Sequence, residues 1–125
     1  MKLLLTVFLG GAIGSMFRYG TGVWLLRYAP GNFPYATLLV NIAGSFLIGI
    51  FYALSLRHQW FSQDLRLFLI TGFCGGFTTF SAFAYENFKM VQEGHYFSFL
   101  LYCFASFVLT LLAVFAGTLC IKLFE

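Results

Sequence analysis

Four apolar stretches, each long enough to cross a lipid bilayer, constrain this 125-residue chain more than any other feature. They run over residues 3–26, 34–56, 65–88 and 97–124. A spanning helix needs about 20 mainly apolar residues, so each stretch qualifies. Only 9% of the residues are charged, whereas a soluble domain has about 25%. The sequence therefore predicts an all-α integral membrane protein with four transmembrane helices.

The connections between these stretches are short and hold no further domain. We expect residues 1–125 to form a single four-helix transmembrane domain, so that any function lies among the helices themselves. We also expect no cleavable signal peptide. Only Lys2 precedes the first stretch as a charge, and no small-residue cleavage site with a polar sequence behind it follows.

Enzyme chemistry has little support in the sequence. The three cysteines, at 74, 103 and 120, all lie in apolar stretches, and their spacing fits neither a disulfide framework nor a metal site. His58 and His95 flank helices without a nearby ligand partner. Nucleotide-binding loops, metalloprotease motifs and nucleophile elbows are absent from the sequence. We predict a protein that is not an enzyme and has no nucleic-acid partner.

Lysines and arginines divide almost evenly between the two faces of a four-span chain, although orientation normally follows their excess on one face. One face carries Lys2, Arg57, Arg66 and Lys122, and the other carries Arg27 and Lys89, with Arg18 as a third candidate. One alternative is a single orientation. The other is insertion in both orientations, with two copies pairing antiparallel, and a chain of four helices needs such a partner to enclose a hydrated pathway.

Several small or charged residues within the spans allow two interpretations. Gly10 and Gly14 of the first span, like Gly44 and Gly49 of the second, permit close helix contact, either within the chain or between two copies. Arg18 lies deep in the first span. It either extends to the interface or lends positive potential to a vestibule.

A polar stripe runs along the second span, where Thr37, Asn41 and Ser45 share one helical face. The Asn41 amide could donate hydrogen bonds to an anion or tie two helices together. The fourth span carries a comparable stripe, Tyr102, Ser106 and Thr110. Two facing stripes suggest a polar track across the membrane.

The segment GFCGGFTTFSAF, residues 72–83, predicts a break in the third helix. Glycines add backbone freedom, and threonine hydroxyls compete for backbone groups. Carbonyls freed by a break at membrane depth can coordinate a cation; the alternative is a continuous helix with glycines for close packing. Beyond the break, Phe80 and Phe83 lie three residues apart, and their positive ring edges could stabilise an anion. Glu86, three residues further, could pair with Lys89, lie at the interface or relay a proton.

The segments GGAIGSMFRYG, TLLVNIAGSFLIG and GFCGGFTTFSAF, in this order, resemble the signature segments of the Fluc fluoride channels, also called the CrcB family. The resemblance extends over essentially the whole chain. It implies an antiparallel, dual-topology homodimer in the lipid bilayer, with two fluoride pores and a central structural sodium ion at the dimer interface. The third helix is then broken near its middle, and carbonyls at the two breaks hold the sodium ion.

By motif position, Asn41 resembles the pore asparagine of that family, and Phe80 and Phe83 its paired pore phenylalanines. Gly75 and Thr78 resemble the carbonyl donors to sodium, and Arg18 resembles the arginine of the first helix. The fluoride pathway implied by the resemblance comprises Thr37, Asn41, Phe80, Ser81, Phe83, Glu86, Tyr102, Ser106 and Thr110. One position departs from the family pattern TTFST. Ala82 replaces its last threonine, so one hydroxyl of the track is missing.

We therefore expect a channel in the bacterial inner membrane that exports toxic fluoride passively. A small multidrug-type carrier is one alternative, but carriers of that class resemble each other in a first-helix glutamate, and this first span has Arg18 and no acid. A fluoride/proton antiporter that uses Glu86 is a second. A scaffold protein whose glycines and phenylalanines only pack helices is a third.

Overall fold

The structure, a computed structural model, describes residues 1–124, and every regular element in that range is a helix. The elements are α1 (Lys2–Tyr28), α2 (Tyr35–Arg57), α3 (Gln63–Arg66), a π-helix (Leu67–Cys74), α4 (Gly75–Phe77), α5 (Phe80–Gln92) and α6 (Tyr96–Leu123). The short α3, the π-helix, α4 and α5 together form the third span, Gln63–Gln92.

The four predicted spans are confirmed: α1, α2, the third span and α6 are each long and apolar enough to cross a membrane. The largest boundary difference is at the end of the third span, expected at residue 88 and observed at Gln92. The helix continues there through residues 89–92, KMVQ, in which polar and apolar side chains are mixed. It does so because helical hydrogen bonding does not stop where the apolar stretch stops. Trp24, Tyr28 and Trp60 are exposed near span ends, as expected for side chains at the membrane interface.

The predicted break in the third helix is confirmed and lies at Thr78 and Thr79. Both residues are extended, with φ/ψ of −81°/159° and −153°/124°. The preceding glycines remain helical, in the π-helix and in α4. Thr79 then begins α5 as its N-cap, since its hydroxyl accepts a hydrogen bond from the Ala82 N–H at 3.2 Å. The break is therefore formed by the two threonines, directly after the glycines.

The glycines of α1 pack within the chain, against the first half of the third span. A β-carbon at Gly10 would overlap the Phe68 carbonyl oxygen, and one at Gly14 would overlap that of Phe73. From the opposite side, a β-carbon at Gly76 would overlap the Gly11 carbonyl oxygen. Of the two interpretations of Gly10 and Gly14, the structure shows close intramolecular packing.

The second close contact joins α2 and α6. A β-carbon at Gly49 would overlap the Val114 carbonyl oxygen, and one at Gly117 would overlap that of Phe46. The Thr118 hydroxyl lies 3.3 Å from the Gly49 carbonyl oxygen, as a donor across the same contact. This backbone proximity places the polar stripes of α2 and α6 beside each other, next to the break.

Candidate functional site

Asn41 holds the broken backbone of the third span in place. Its Oδ1 accepts the Thr79 N–H at 2.8 Å, and its Nδ2 donates to the Thr79 carbonyl at 3.0 Å. Thr79 is only 8% exposed, so its N–H, which the break leaves without a helical acceptor, has little access to solvent. The interpretation of Asn41 as a tie between helices is confirmed. One of its two amide protons has no acceptor among residues 1–124.

A cavity of about 340 Å³ lies beside this clamp, between α2, the break, α5 and α6. Its lining residues come from these elements and are Asn41, Ser45, Ile48, Thr78, Thr79, Phe80, Phe83, Cys103, Ser106, Phe107 and Thr110. Six of them are candidate site residues of the sequence analysis, namely Asn41, Thr78, Phe80, Phe83, Ser106 and Thr110. The two polar stripes therefore meet at the break, as their facing arrangement predicted.

Sequence reasoning assigned no site role to several lining residues. Ser45 belonged to the α2 stripe, so helical spacing from Asn41 was a signal for it. Cys103 and Phe107 follow Tyr102 and Ser106 directly in the chain, and Ile48 is an ordinary apolar helix residue. Nothing in the sequence distinguishes these three from residues that contact lipid.

A carboxylate cluster lies next to the cavity. The Thr37 hydroxyl donates to Oε1 of Glu86 at 2.6 Å, and the Tyr102 hydroxyl donates to Oε2 at 2.7 Å. The Phe83 ring lines the cavity, and its centroid lies 5.0 Å from that of Tyr102. Phe80 in turn lies 5.5 Å from Phe83. These contacts connect the cavity to the carboxylate through two phenylalanines and a tyrosine.

Among the alternatives for Glu86, pairing with Lys89 is wrong. Lys89 instead forms an ion pair with Glu93 at 3.8 Å. A lysine on an exposed turn can reach a glutamate one turn ahead, whereas Glu86 faces the hydroxyls of α2 and α6.

Two predicted pathway or vestibule residues lie away from the cavity lining. Ser81 is exposed, and its hydroxyl lies 3.2 Å from that of Thr79. Arg18 is half-buried on α1 and makes no ion pair or hydrogen bond with any residue from 1 to 124. Neither of them is among the residues that line the cavity in the single chain.

The break leaves carbonyl oxygens available near its surface. The Thr78 N–H donates to Cys74 and the Thr79 N–H to Asn41, so neither donates to the Gly75 carbonyl. The Thr78 carbonyl accepts no hydrogen bond within the described part of the chain. Neutral carbonyl oxygens of unwound helices are suitable ligands for a sodium ion, so these two fit such a group chemically.

Comparison with known proteins gives a consistent result. Residues 5–118 match the model of a family described as "CrcB-like protein, Camphor Resistance (CrcB)". A relative from Leptospira interrogans, named "Fluoride-specific ion channel FluC", is 47% identical over 98% of this chain and 97% of its own. Relatives of the same name are 51% identical in Agrobacterium fabrum, over 86% of each chain, and 39% in Azobacteroides pseudotrichonymphae, over 99% of each. Their name is that of an ion channel and not of an enzyme.

Proposed function

The chain belongs to the CrcB family, and on that premise we propose that it is a fluoride-selective ion channel. It spans a bacterial membrane several times. We propose the inner membrane as its location and passive electrodiffusion of toxic fluoride out of the cytoplasm as its task.

The observation that carries this proposal is the cavity beside the break. Fluoride is small and strongly hydrated, so a pore must replace its water with several donors while excluding chloride by size. The cavity combines neutral donors, Asn41 and Ser106, with three phenylalanine rings. Within this wall no full positive charge is present that would hold an anion too tightly. Such a lining favours a weakly bound and therefore mobile anion.

We propose that the pathway continues from the cavity along Phe83 to Tyr102 and the Glu86 cluster. Both oxygens of the Glu86 carboxylate accept short hydroxyl hydrogen bonds from α2 and α6. These bonds disperse the negative charge of the carboxylate and thereby reduce its repulsion of a passing anion. Ser81, which is exposed, and Arg18, which is half-buried on α1, would contribute at the entrances.

We further propose that two copies pair antiparallel in the membrane. Phe80 is 79% exposed in a single chain, and Gly75 and Ser81 are also exposed. A second copy would enclose these residues and complete the pathway wall. The mass of the protein in detergent, measured by light scattering, is expected to correspond to two chains, and a monomeric mass would contradict the pairing.

A sodium ion between the copies is a separate proposal, supported by the available carbonyl oxygens of Gly75 and Thr78. When bound, the ion would supply a positive charge that holds the two breaks together. Sodium binding to the folded protein would raise its unfolding midpoint. We expect a higher midpoint in sodium chloride than in choline chloride at equal ionic strength, and equal midpoints would contradict the sodium site.

The channel function is tested by efflux from liposomes. Purified protein is reconstituted into vesicles loaded with potassium fluoride, valinomycin is added, and external fluoride is followed with an electrode. We expect fast fluoride release that depends on valinomycin, and no chloride release from vesicles loaded with potassium chloride. Folded protein that releases neither ion would refute the proposal.

The Glu86 cluster supports a second candidate, fluoride/proton antiport, because a carboxylate next to an anion pathway could relay a proton. The two functions differ in their energetics. An antiporter would accumulate fluoride against its gradient when a pH gradient is imposed, whereas a passive channel would leave the final fluoride distribution unchanged by the pH gradient at fixed membrane potential.

A further inference from the structure

Most polar protons along the proposed pathway are already engaged within the protein. The Thr37 and Tyr102 hydroxyls donate to Glu86. The Thr110 hydroxyl donates to the Ser106 carbonyl at 2.6 Å. The Cys103 thiol, a weak donor, points to the Asn87 side-chain oxygen at 3.4 Å. These groups can donate to an anion only if they first break an existing hydrogen bond.

Three donors that line the cavity remain without an acceptor among residues 1–124. The Ser106 hydroxyl is buried and unpartnered, in a side chain only 8% exposed. Ser45 makes no hydrogen bond, not even to its own helix, although serines in helices commonly donate to the preceding turn. The third donor is the second amide proton of Asn41. An unpartnered buried hydroxyl is costly and calls for a partner from outside the chain.

The chemistry of this set favours an anion over a cation. The Asn41 side-chain oxygen is engaged by Thr79, so Asn41 can offer only an N–H. The Ser106 carbonyl oxygen accepts from Thr110. With those oxygens occupied, the three unpartnered side-chain groups of Ser45, Ser106 and Asn41 can all donate, and the two serine hydroxyls can rotate toward a common ligand.

We propose that Ser45 is an anion ligand, forming with Ser106 and Asn41 a fluoride subsite in the cavity. This inference rests on the proposed channel function and adds Ser45 to it. Ser45 follows Asn41 by one helical turn, about 6 Å along α2, on the side away from Thr37. The subsite therefore lies on the other side of Asn41 from the Glu86 cluster, where two hydroxyls from separate helices replace water of hydration without a formal charge.

The test compares Ser45→Ala and Ser45→Cys with the unaltered chain in the liposome assay, at fluoride concentrations well below saturation. Loss of one neutral hydrogen bond is expected to lower the initial rate about five- to tenfold in Ser45→Ala. Ser45→Cys, which retains a weak donor of similar size, should give an intermediate rate. Ser55→Ala is the matched control, because the Ser55 hydroxyl, also on α2, donates to the Tyr52 carbonyl at 2.7 Å outside the cavity. It should release fluoride at the unaltered rate.

A serine that only fills space gives a different result. Ser45→Ala would enlarge the cavity, so an equal or faster rate in that variant would overturn the assignment while leaving the channel function intact. If Ser45→Ala does not elute as a single species in detergent, Ser45→Cys decides, and an unaltered rate there overturns the assignment. Absence of fluoride release from the unaltered chain would instead refute the channel function, and this inference with it.

Discussion

Replacement of Asn41 by alanine tests the clamp at the break. Asn41→Ala removes the acceptor of the Thr79 N–H and the donor to the Thr79 carbonyl. A buried polar group that loses its partner costs about 1–3 kcal/mol. Because Thr79 is 8% exposed and its N–H has no other acceptor, we expect the free energy of unfolding to fall by about 1–3 kcal/mol if that N–H finds no water. The carbonyl loses less, because as the N-cap oxygen of α5 it also accepts a helical bond.

The measurement is equilibrium unfolding in mixed micelles of a mild detergent and sodium dodecyl sulfate, followed by tryptophan fluorescence. Ser55→Ala, on the same helix, removes a hydroxyl that only bonds within α2 and should change the unfolding free energy by less than about 0.5 kcal/mol. Asn41→Asp retains an acceptor for the Thr79 N–H but loses the donor to its carbonyl. Its loss of stability is therefore expected to include the second bond but not the first, together with the cost of the new charge.

Fluoride efflux from the same Asn41→Ala protein distinguishes a channel function from that of a scaffold protein. We expect efflux to be lost along with stability, since Asn41 both holds the break and lines the cavity. An unchanged unfolding free energy would refute the clamp. A full rate of efflux in a destabilised variant would refute the role of Asn41 in the pathway.

Three further predictions concern packing, the carboxylate cluster and the surface. Gly14→Ala places a β-carbon on the Phe73 carbonyl and should lower the yield of folded protein in gel filtration, whereas Gly20→Ala, with nothing within 4 Å, should not. Glu86→Gln leaves one of the two bonded hydroxyls without its acceptor. It should therefore lower the unfolding free energy by about 1–3 kcal/mol and slow fluoride efflux. Unchanged values of both quantities would contradict the role proposed for the Glu86 cluster. Lys2→Ala removes an exposed ion pair of 2.6 Å and should leave the unfolding midpoint unchanged in the same micelle titration, because exposed pairs contribute little.

Much of the architecture could be predicted because its causes are local in sequence. The spans follow from apolar length, which the bilayer requires of any crossing helix. The break follows from glycines and threonines that weaken helical bonding in one short segment. The stripe of Asn41 and Ser45 follows from the period of the helix. Because these causes are local, they could not show whether Gly10 and Gly14 make a contact within the chain or one between copies.

The partners of the site residues could not be predicted, because they depend on distances between helices. Asn41 could have faced an anion or another helix, and only the packing of α2 against the break shows that it clamps Thr79. Lys89 was as suitable a neighbour for Glu86 as any by spacing, yet Thr37 and Tyr102 take both carboxylate oxygens. Their sequence separations from Glu86, 49 and 16 residues, lie beyond any helical periodicity.

The sequence by itself therefore determined four spans, a broken third helix and two polar stripes, since hydropathy and backbone preference act over a few residues at a time. The tertiary structure decided which donors remain available to an anion. Thr110 and Tyr102 looked equivalent to Ser106 along α6, but their protons are engaged by neighbouring groups while that of Ser106 is not. A hydrogen bond requires its two atoms within about 3 Å, and in this chain the close glycine contacts between helices set those distances.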